Sequence, residues 1–584
     1  MYRNATTVAL PSRGAAGRSC IGAVSVAAVF AAALAALSAA CAGAEPRKKA
    51  VATGWDQPDL KHLLENQEEI EKRPFDGVVC HLFAKNEAGK VVWSLRTPVS
   101  PEPWQREWFD DTVRKLQSLK WKRFTDNFLN VDANPGNVDW FDDAAWQRIA
   151  DKWRIIAHLA RFGGFRGICF DPEPYYPPAA LFSYRAQPQR NEHTFAEYCA
   201  KARQRGREMM RALTAEYPDI TLLCYFLNSV NAAAARQGDP QPALAAAGYG
   251  LLPALLDGWL DEAPATVKII DGCESAYLYN SVEQYLEAAV SIKGECQRLV
   301  SPENRAKYRA QVQVGFGIYL DAYWNPPGSP WYIDGKGGSR LDRLRDNLRT
   351  ALRVADEYVW VYGEKHRWWP TANRSVNATT WPEVLPGVER FINLARDPLG
   401  WAAARLESLG SAADEANLLR NGRFSQTSIT DASGKTVQWQ QGRPPVGWST
   451  WQREKSRGTF AWDRDEGCGD KGSARCSGVD DGCFLQSIEV KPGEIYVAAA
   501  MRKLAGAGEA CLRVRWQTPD GKWTAEVSDV VAWSSEPRDK WGRLLAVAEV
   551  PPGAGRLVVL LLARGQRSPD DIAWFDGAGV WKLE

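Results

Sequence analysis

At 584 residues the chain is too long for one ordinary domain, and its length sets an expectation of roughly two or three. Apolar residues at 45% and charged residues at 24% are globular proportions, and a formal net charge of +2 excludes the strong charge bias of a nucleic-acid or polyanion binder. Five scattered histidines and the absence of any C-x-x-C pair argue against zinc.

In chain order, Arg13 and Arg18 precede the apolar run "IGAVSVAAVFAAALAALSAA", and small residues follow, so residues 1–44 read as an export signal. "LSAAC" resembles a bacterial lipobox, which makes Cys41 a candidate for lipidation; Ala42-Gly43-Ala44 offers ordinary cleavage instead. The expectation is a bacterial protein that is either an outer-membrane or periplasmic lipoprotein, or secreted. Export would permit disulfides among Cys468, Cys476, Cys483 and Cys511, with the pairing open.

Over 55–400, apolar β-rich runs alternate with amphipathic helical stretches. The expected strands are 75–82, 122–131, 166–173, 220–227, 266–274, 310–321 and 358–365. Between them, "FDDAAWQRIADKWRIIAHLARFGG" keeps a 3.6-residue apolar period, with Asp142 or Asp143 placed to cap it and Gly163 to end it. The alternation predicts a TIM-like (β/α)8 barrel, an α/β fold with a parallel sheet. One strand is missing from the count: either it lies in "GKVVWSL" or the barrel is irregular. An open doubly wound sheet is the competing fold, but "FDGVVCHLFAKNEAGK" has no glycine-rich phosphate loop.

Near Asn417 the pattern changes to short alternating runs broken by Gly, Pro, Asp and Asn, which predicts an all-β sandwich over 416–584. "NLLRNGRFSQ", Gly447-Trp448, "FLQSIEVKPGEIYVAAAMRK" and "AWFDGAGVWKL" resemble a jelly-roll, galactose-binding-like carbohydrate-binding module. That resemblance implies a carbohydrate ligand and a structural calcium ion near the first and last strands, held by Asn421 and Asp576. Arg423 and Ser425 depart from the acidic residues common there. The 26 tryptophans agree with sugar stacking as well as with core packing.

Barrel enzymes carry their chemistry at the C-terminal ends of the strands. The acids and aromatics expected there are Asp126 and Asn127, Asp171 and Glu173, Asp271 and Glu274 with Tyr277, Asp321 with Trp324, and Glu364 followed by Trp368 and Trp369. Glycoside hydrolysis needs a carboxylic acid to protonate the leaving oxygen and a second carboxylate opposite it, without a catalytic cofactor. In "GICFDPEPYYPP", Asp171 and Glu173 are two apart on an expected strand and so share a face. Glu173 is then the expected general acid and Asp171 the group that tunes it, with Glu364 or Glu274 as the partner. "GICFDPE" also resembles the D-x-E strand end of chitinase-like barrel hydrolases, which implies Glu173 as the acid, Asp171 as the group that assists a substrate acetamido group, and N-acetylated sugars as substrate. Trp368 and Trp369 are the expected sugar platform, with Tyr175, Tyr176, Tyr277 and Trp324 as walls, and Asp126, Asn127, Asp271 and Asp321 as substrate contacts.

The sequence thus reads as an exported glycoside hydrolase with an appended carbohydrate-binding module. The alternative is a non-catalytic glycan-binding surface lipoprotein made of the same parts. An esterase is disfavoured by the lack of G-x-S-x-G, while "EKHRWW" leaves a lyase open.

Overall fold

Short runs of Val, Ile, Leu, Phe and Cys, buried on both faces, build the central sheet of the computed structural model. It describes residues 48–583 apart from 87–89, 177–179, 372 and 431–433. The export signal and Cys41 lie outside the described residues. No described helix is long and apolar enough to cross a membrane.

The strands of this sheet are β1 (Lys49–Gly54), β2 (Gly77–Cys80), β5 (Phe128–Asp132), β6 (Gly167–Asp171), β7 (Thr221–Cys224), β8 (Lys268–Asp271), β9 (Val312–Val314), β10 (Phe316–Tyr319) and β11 (Tyr358–Gly363). All pairings are parallel, in the order β10-β11-β1-β2-β5-β6-β7-β8-β9. The two edge strands, β9 and β10, are consecutive in the chain and separated by Gly315 alone, so the sheet is a nearly closed barrel. A side chain at 315 would meet Ile270 Cγ2 at 2.6 Å and the Tyr358 carbonyl oxygen at 3.1 Å, which is why this corner is glycine.

Two expectations need correction. The strand missing from the sequence count is β1, which precedes residue 55. The "GKVVWSL" segment instead supplies β4 (Val91–Ser94), paired antiparallel with β3 (Phe83–Lys85) outside the central sheet. The strand boundaries also shift: β5 begins at Phe128 and β6 ends at Asp171.

Helices cover the sheet as their periodicity predicts. In Asp143–Phe162 the Asp142 carboxylate accepts from Ala145 N–H, Gly163 ends the helix, and Trp146, Ile149, Trp153 and Ile156 face the core. Phe195–Glu216 starts on a capping box between Thr194 and Glu197.

Beyond Asn417 the chain forms two five-stranded antiparallel sheets. One is β14 (Ser449–Gln452), β17 (Asp481–Glu489), β22 (Arg556–Arg564), β19 (Glu509–Gln517) and β20 (Val530–Ala532). The other is β15 (Thr459–Asp463), β16 (Ser473–Ser477), β23 (Ile572–Lys582), β18 (Ile495–Ala505) and β21 (Gly542–Glu549). Phe484, Leu512, Trp516 and Leu561 of the first pack with Ala498, Leu544 and Phe575 of the second in one core. A short hairpin, β12 (Ser428–Thr430) with β13 (Thr436–Gln438), stands apart. The ten described cysteines are all free, including the four that export would permit to pair.

Candidate active site

The loops that leave the C-terminal ends of the central strands enclose a cavity of about 1080 Å³. Five carboxyl groups line it: Asp132, Asp171, Glu173, Glu274 and Glu364. Their positions follow from the strand ends. Asn130, Asp132 and Asn134 alternate along β5 and its exit, and all three line the cavity. Asp171 closes β6, and Glu173 stands two residues past the strand rather than on it. Glu274 opens a short 3-10 helix (Glu274–Leu278) after Cys273, whose backbone is left-handed with φ of 43°. A non-glycine residue held there is strained, and such strain recurs where a side chain has to be aimed.

The carboxyls fall into two groups. On one side, buried Asp132 and Asp171 lie close enough to repel. Burial and the Asp132 charge push the Asp171 carboxyl well above the ordinary range. Asp171 accepts from Glu173 N–H at 2.9 Å and from the Tyr175 hydroxyl at 2.8 Å. Burial likewise lifts Asp132 to about 6, opposed by Arg96, whose Nε is 3.7 Å away, and by hydrogen bonds from Asn130 and Asn134. Gln57 links Asn130 to Thr53, and Thr53 in turn meets the Tyr225 hydroxyl at 2.6 Å.

On the other side, burial first and then the charges of Glu173 and Glu364 raise Glu274 to about 7, against a hydrogen bond from Tyr277. Glu364 is also raised, chiefly by burial, against a hydrogen bond from Tyr319. Between these acids the wall is aromatic. Tyr277 stacks on Tyr319 with centroids 4.9 Å apart and on Tyr362 at 5.8 Å, and Tyr225 stacks on Trp360 at 4.3 Å. Glu173 thus faces Glu274 and Glu364 within one cavity, inside a shell of polar and aromatic groups. That arrangement suits proton transfer to a bound hydroxyl-rich ligand.

Several residues expected at the site are elsewhere. Asp126 and Asn127 precede β5 and sit at the opposite end of the barrel. There Asp126 pairs with Lys49 at 2.9 Å and takes a hydrogen bond from Tyr358, while Asn127 accepts from Val78 N–H. Asp271 is fully buried and accepts from Leu227 N–H, from Ser229 N–H and hydroxyl, and from Cys273 N–H, so it ties the β7 exit to the β8 exit. Asp321 does the same for β11, accepting from Glu364 N–H at 2.8 Å and Lys365 N–H at 3.2 Å. Neither lines the cavity.

Trp368 and Trp369 are core residues, not a platform. Trp368 packs edge-on to Phe75, its backbone N–H donates to Asp56, and the Trp369 indole donates to the Asp56 carbonyl. Trp324 lies beneath Lys365 and His366, outside the cavity lining. Tyr175, Tyr176 and Tyr277 do line it. The sequence reading missed Asp132, Arg96, Trp55 and Trp331. Asp132 was legible in the alternation of "FLNVDAN" once the strand is moved on by one residue.

In the sandwich, the Asn421 side-chain oxygen accepts from Gln426 N–H, and both Asp576 oxygens accept from backbone, at Cys468 and Gly577. The pair expected to hold calcium is thus already engaged with protein donors. Burial lifts Asp576 to about 6. Among the described residues no group of three or more His, Cys, Asp and Glu is placed to hold a metal.

No family profile matches the sequence, and no curated protein does. Solved structures match over parts of the chain. The enzymatically active domain of Bacteriophage CBA120 tailspike protein 4 is similar over 29% of this chain and 22% of its own, at 16% identity and a TM-score of 0.22. A CBM4 structure is similar over 28% of this chain and 99% of its own, at 16% identity and a TM-score of 0.20. The arabinose-bound MgGH51 α-L-arabinofuranosidase is similar over 30% of this chain and 27% of its own, at 16% identity and a TM-score of 0.22.

Proposed function

We propose that the chain is a glycoside hydrolase whose acid is Glu274 and whose opposing carboxylate is Glu173. The observation that carries this reading is the placement of Glu274, half-buried on the cavity lining beside Tyr277 and near enough to Glu173 and Glu364 for their charges to help raise its carboxyl to about 7. A carboxylic acid that is protonated at working pH can deliver that proton to a glycosidic oxygen as the bond to the anomeric carbon breaks. Glu173 is the second group of the pair, stabilising the oxocarbenium-like centre and either attacking it or drawing a proton from the incoming water. Water supplies the hydroxyl at the anomeric carbon and the proton that restores Glu274. The anomer of the first product, read by NMR, distinguishes direct attack from water activation.

This exchanges the roles drawn from sequence, where Glu173 was the acid, because burial and neighbouring charge act on Glu274. Asp171 becomes a positioning residue that holds the Glu173 backbone and the Tyr175 hydroxyl. Counted with β9 and β10 as one strand broken at Gly315, the sheet is read as an eight-stranded (β/α)8 barrel. The sandwich is read as a carbohydrate-binding module, the first 44 residues as an export signal, and Cys41 as a candidate lipid anchor.

The test is a glycan panel with product analysis on the wild type, Glu274→Gln and Glu173→Gln. The expected result is cleavage by the wild type and loss of about 10²–10⁴ in kcat in Glu274→Gln. Equal turnover by that variant overturns the assignment of the acid. Binding without cleavage by the wild type makes the chain a glycan-binding protein instead.

A further inference from the structure

Six large apolar side chains on the cavity lining remain between 40 and 54% exposed: Trp55, Tyr175, Tyr176, Val230, Leu278 and Trp331. Exposed apolar surface gathered at one mouth marks a contact face rather than chance. Their distribution round the barrel is informative. Tyr175 and Tyr176 leave β6, and Val230 and Leu278 follow β7 and β8, next to it in the sheet. Trp55 follows β1 and Trp331 follows β10. In the sheet order, β1 lies three strands from β6 in one direction, and β10 closes the circuit on the other side beyond β8 and β9. The two tryptophans therefore flank β11, which stands across the barrel mouth from β6. Glu173 leaves β6 and Glu364 leaves β11, so the carboxyls lie between the two apolar flanks.

Hydrogen-bonding groups are divided in the same way. Asn130 and Asn134 line the cavity from β5 and its exit, and Asn325 and Asn373 from the loops after β10 and β11. The volume of about 1080 Å³ lies just above the roughly 300–1,000 Å³ that holds one drug-sized ligand. A site that trims single units from a chain end needs one flank to receive the end and stop it. Here both flanks present ring faces and amides to a ligand that extends past the carboxyls.

Resting on the hydrolase reading, we propose that the cavity takes a glycan chain lying across it, from the Tyr175–Tyr176 flank to the Trp55–Trp331 flank, and cuts at an internal bond. The substrate class is then a polymer or long oligosaccharide rather than a terminal residue or a small glycoside.

The experiment uses the full chain against soluble plant, fungal and bacterial polysaccharides. It adds oligosaccharides made from each, reduced to the alditol at one end and blocked by a 4,6-O-acetal at the other. The expected result is cleavage of the doubly blocked oligosaccharides, and a viscosity that falls well before reducing ends accumulate. Trp331→Ala and Tyr176→Ala, one from each flank, should each raise KM for the polymer about tenfold. If polymer is hydrolysed but blocked oligosaccharides are not, and one small product appears from the start, the internal-cut proposal is overturned while the hydrolase reading stands. If only one of the two variants shifts KM, the ligand does not reach both flanks and the proposal is likewise overturned. If the wild type hydrolyses no glycan, both readings fall.

Discussion

Buried aspartates at the strand ends divide the work of the site with the glutamates. Asp171 accepts an N–H of its own exit loop, Asp271 those of the β7 exit and its own, and Asp321 those of the β11 exit, and each is nearly or fully buried. The glutamates that follow them, Glu173, Glu274 and Glu364, are the groups those loops deliver to the cavity. An aspartate is short enough to fold back on its own turn, whereas a glutamate reaches outward. Asp271→Ala should therefore cost about 1–3 kcal/mol of stability, because Leu227 and Ser229 amides lose a buried acceptor. Urea unfolding reads it.

Glu274 makes a second prediction with a definite sign. Its folded value of about 7 exceeds the model-compound 4.5, so the folded state holds a proton that the unfolded state releases. The stability it contributes is fully present below 4.5 and is lost as pH rises through about 7. Glu274→Gln removes that dependence. Melting temperature of the variant minus that of the wild type should then grow between about pH 4.5 and 7, and a flat difference would contradict it. Wild-type activity should fall as pH rises through the same upper limit, when the acid loses its proton.

At the scale of elements, the barrel strands were legible because each is a short apolar run buried on both faces, as in "GICFD" or "TLLC". β1 was not, because "KAVATG" is made of small residues and follows a basic stretch that reads as the tail of an export signal. Small residues suit that place: Gly54 lies opposite Gly363, and a side chain at 54 would meet the Gly363 carbonyl oxygen at 2.0 Å. The site was half legible for a related reason. The expected strand 122–131 starts well before Phe128, where β5 begins, so Asp126 and Asn127, which precede β5 at the far end of the barrel, were placed at the site in place of Asn130 and Asp132 at its C-terminal end. No local pattern separates a tryptophan in the core from one in a platform, so Trp368 and Trp369 were assigned to the cavity and Trp55 and Trp331 were passed over.

Gly315, where the sheet's two ends meet, gives the prediction at this scale. Gly315→Ala drives a methyl group against Ile270 Cγ2 and the Tyr358 carbonyl, and should destabilise by about 1–3 kcal/mol. Thermal melts of Gly315→Ala against the wild type read the loss.

Across the whole molecule, barrel and sandwich are joined by more than a linker. The helix Pro398–Leu409 buries Ala402 completely against Val497 and Ala499 of β18 and Trp581 of β23, on the outer face of one sheet. From the barrel helix Arg340–Val354, Arg345 reaches Glu549 of β21 at 3.1 Å. The outer face of the other sheet carries exposed Trp451 on β14 and, just past β20, Trp533. One sheet is thus docked, which ties the sandwich's stability to that of the barrel. Ala402→Asp tests the coupling directly. It places a carboxylate among apolar side chains, a penalty of roughly 1–3 kcal/mol or more against the docked state. Neither hydrophobic core is touched by the change, since Ala402 belongs to neither. Calorimetry should therefore show the wild type melting as one coupled transition and Ala402→Asp as two, with the barrel's own transition accompanied by loss of the Glu274-dependent activity. A variant that still melts in a single transition would show that the contact at Ala402 does not carry the coupling.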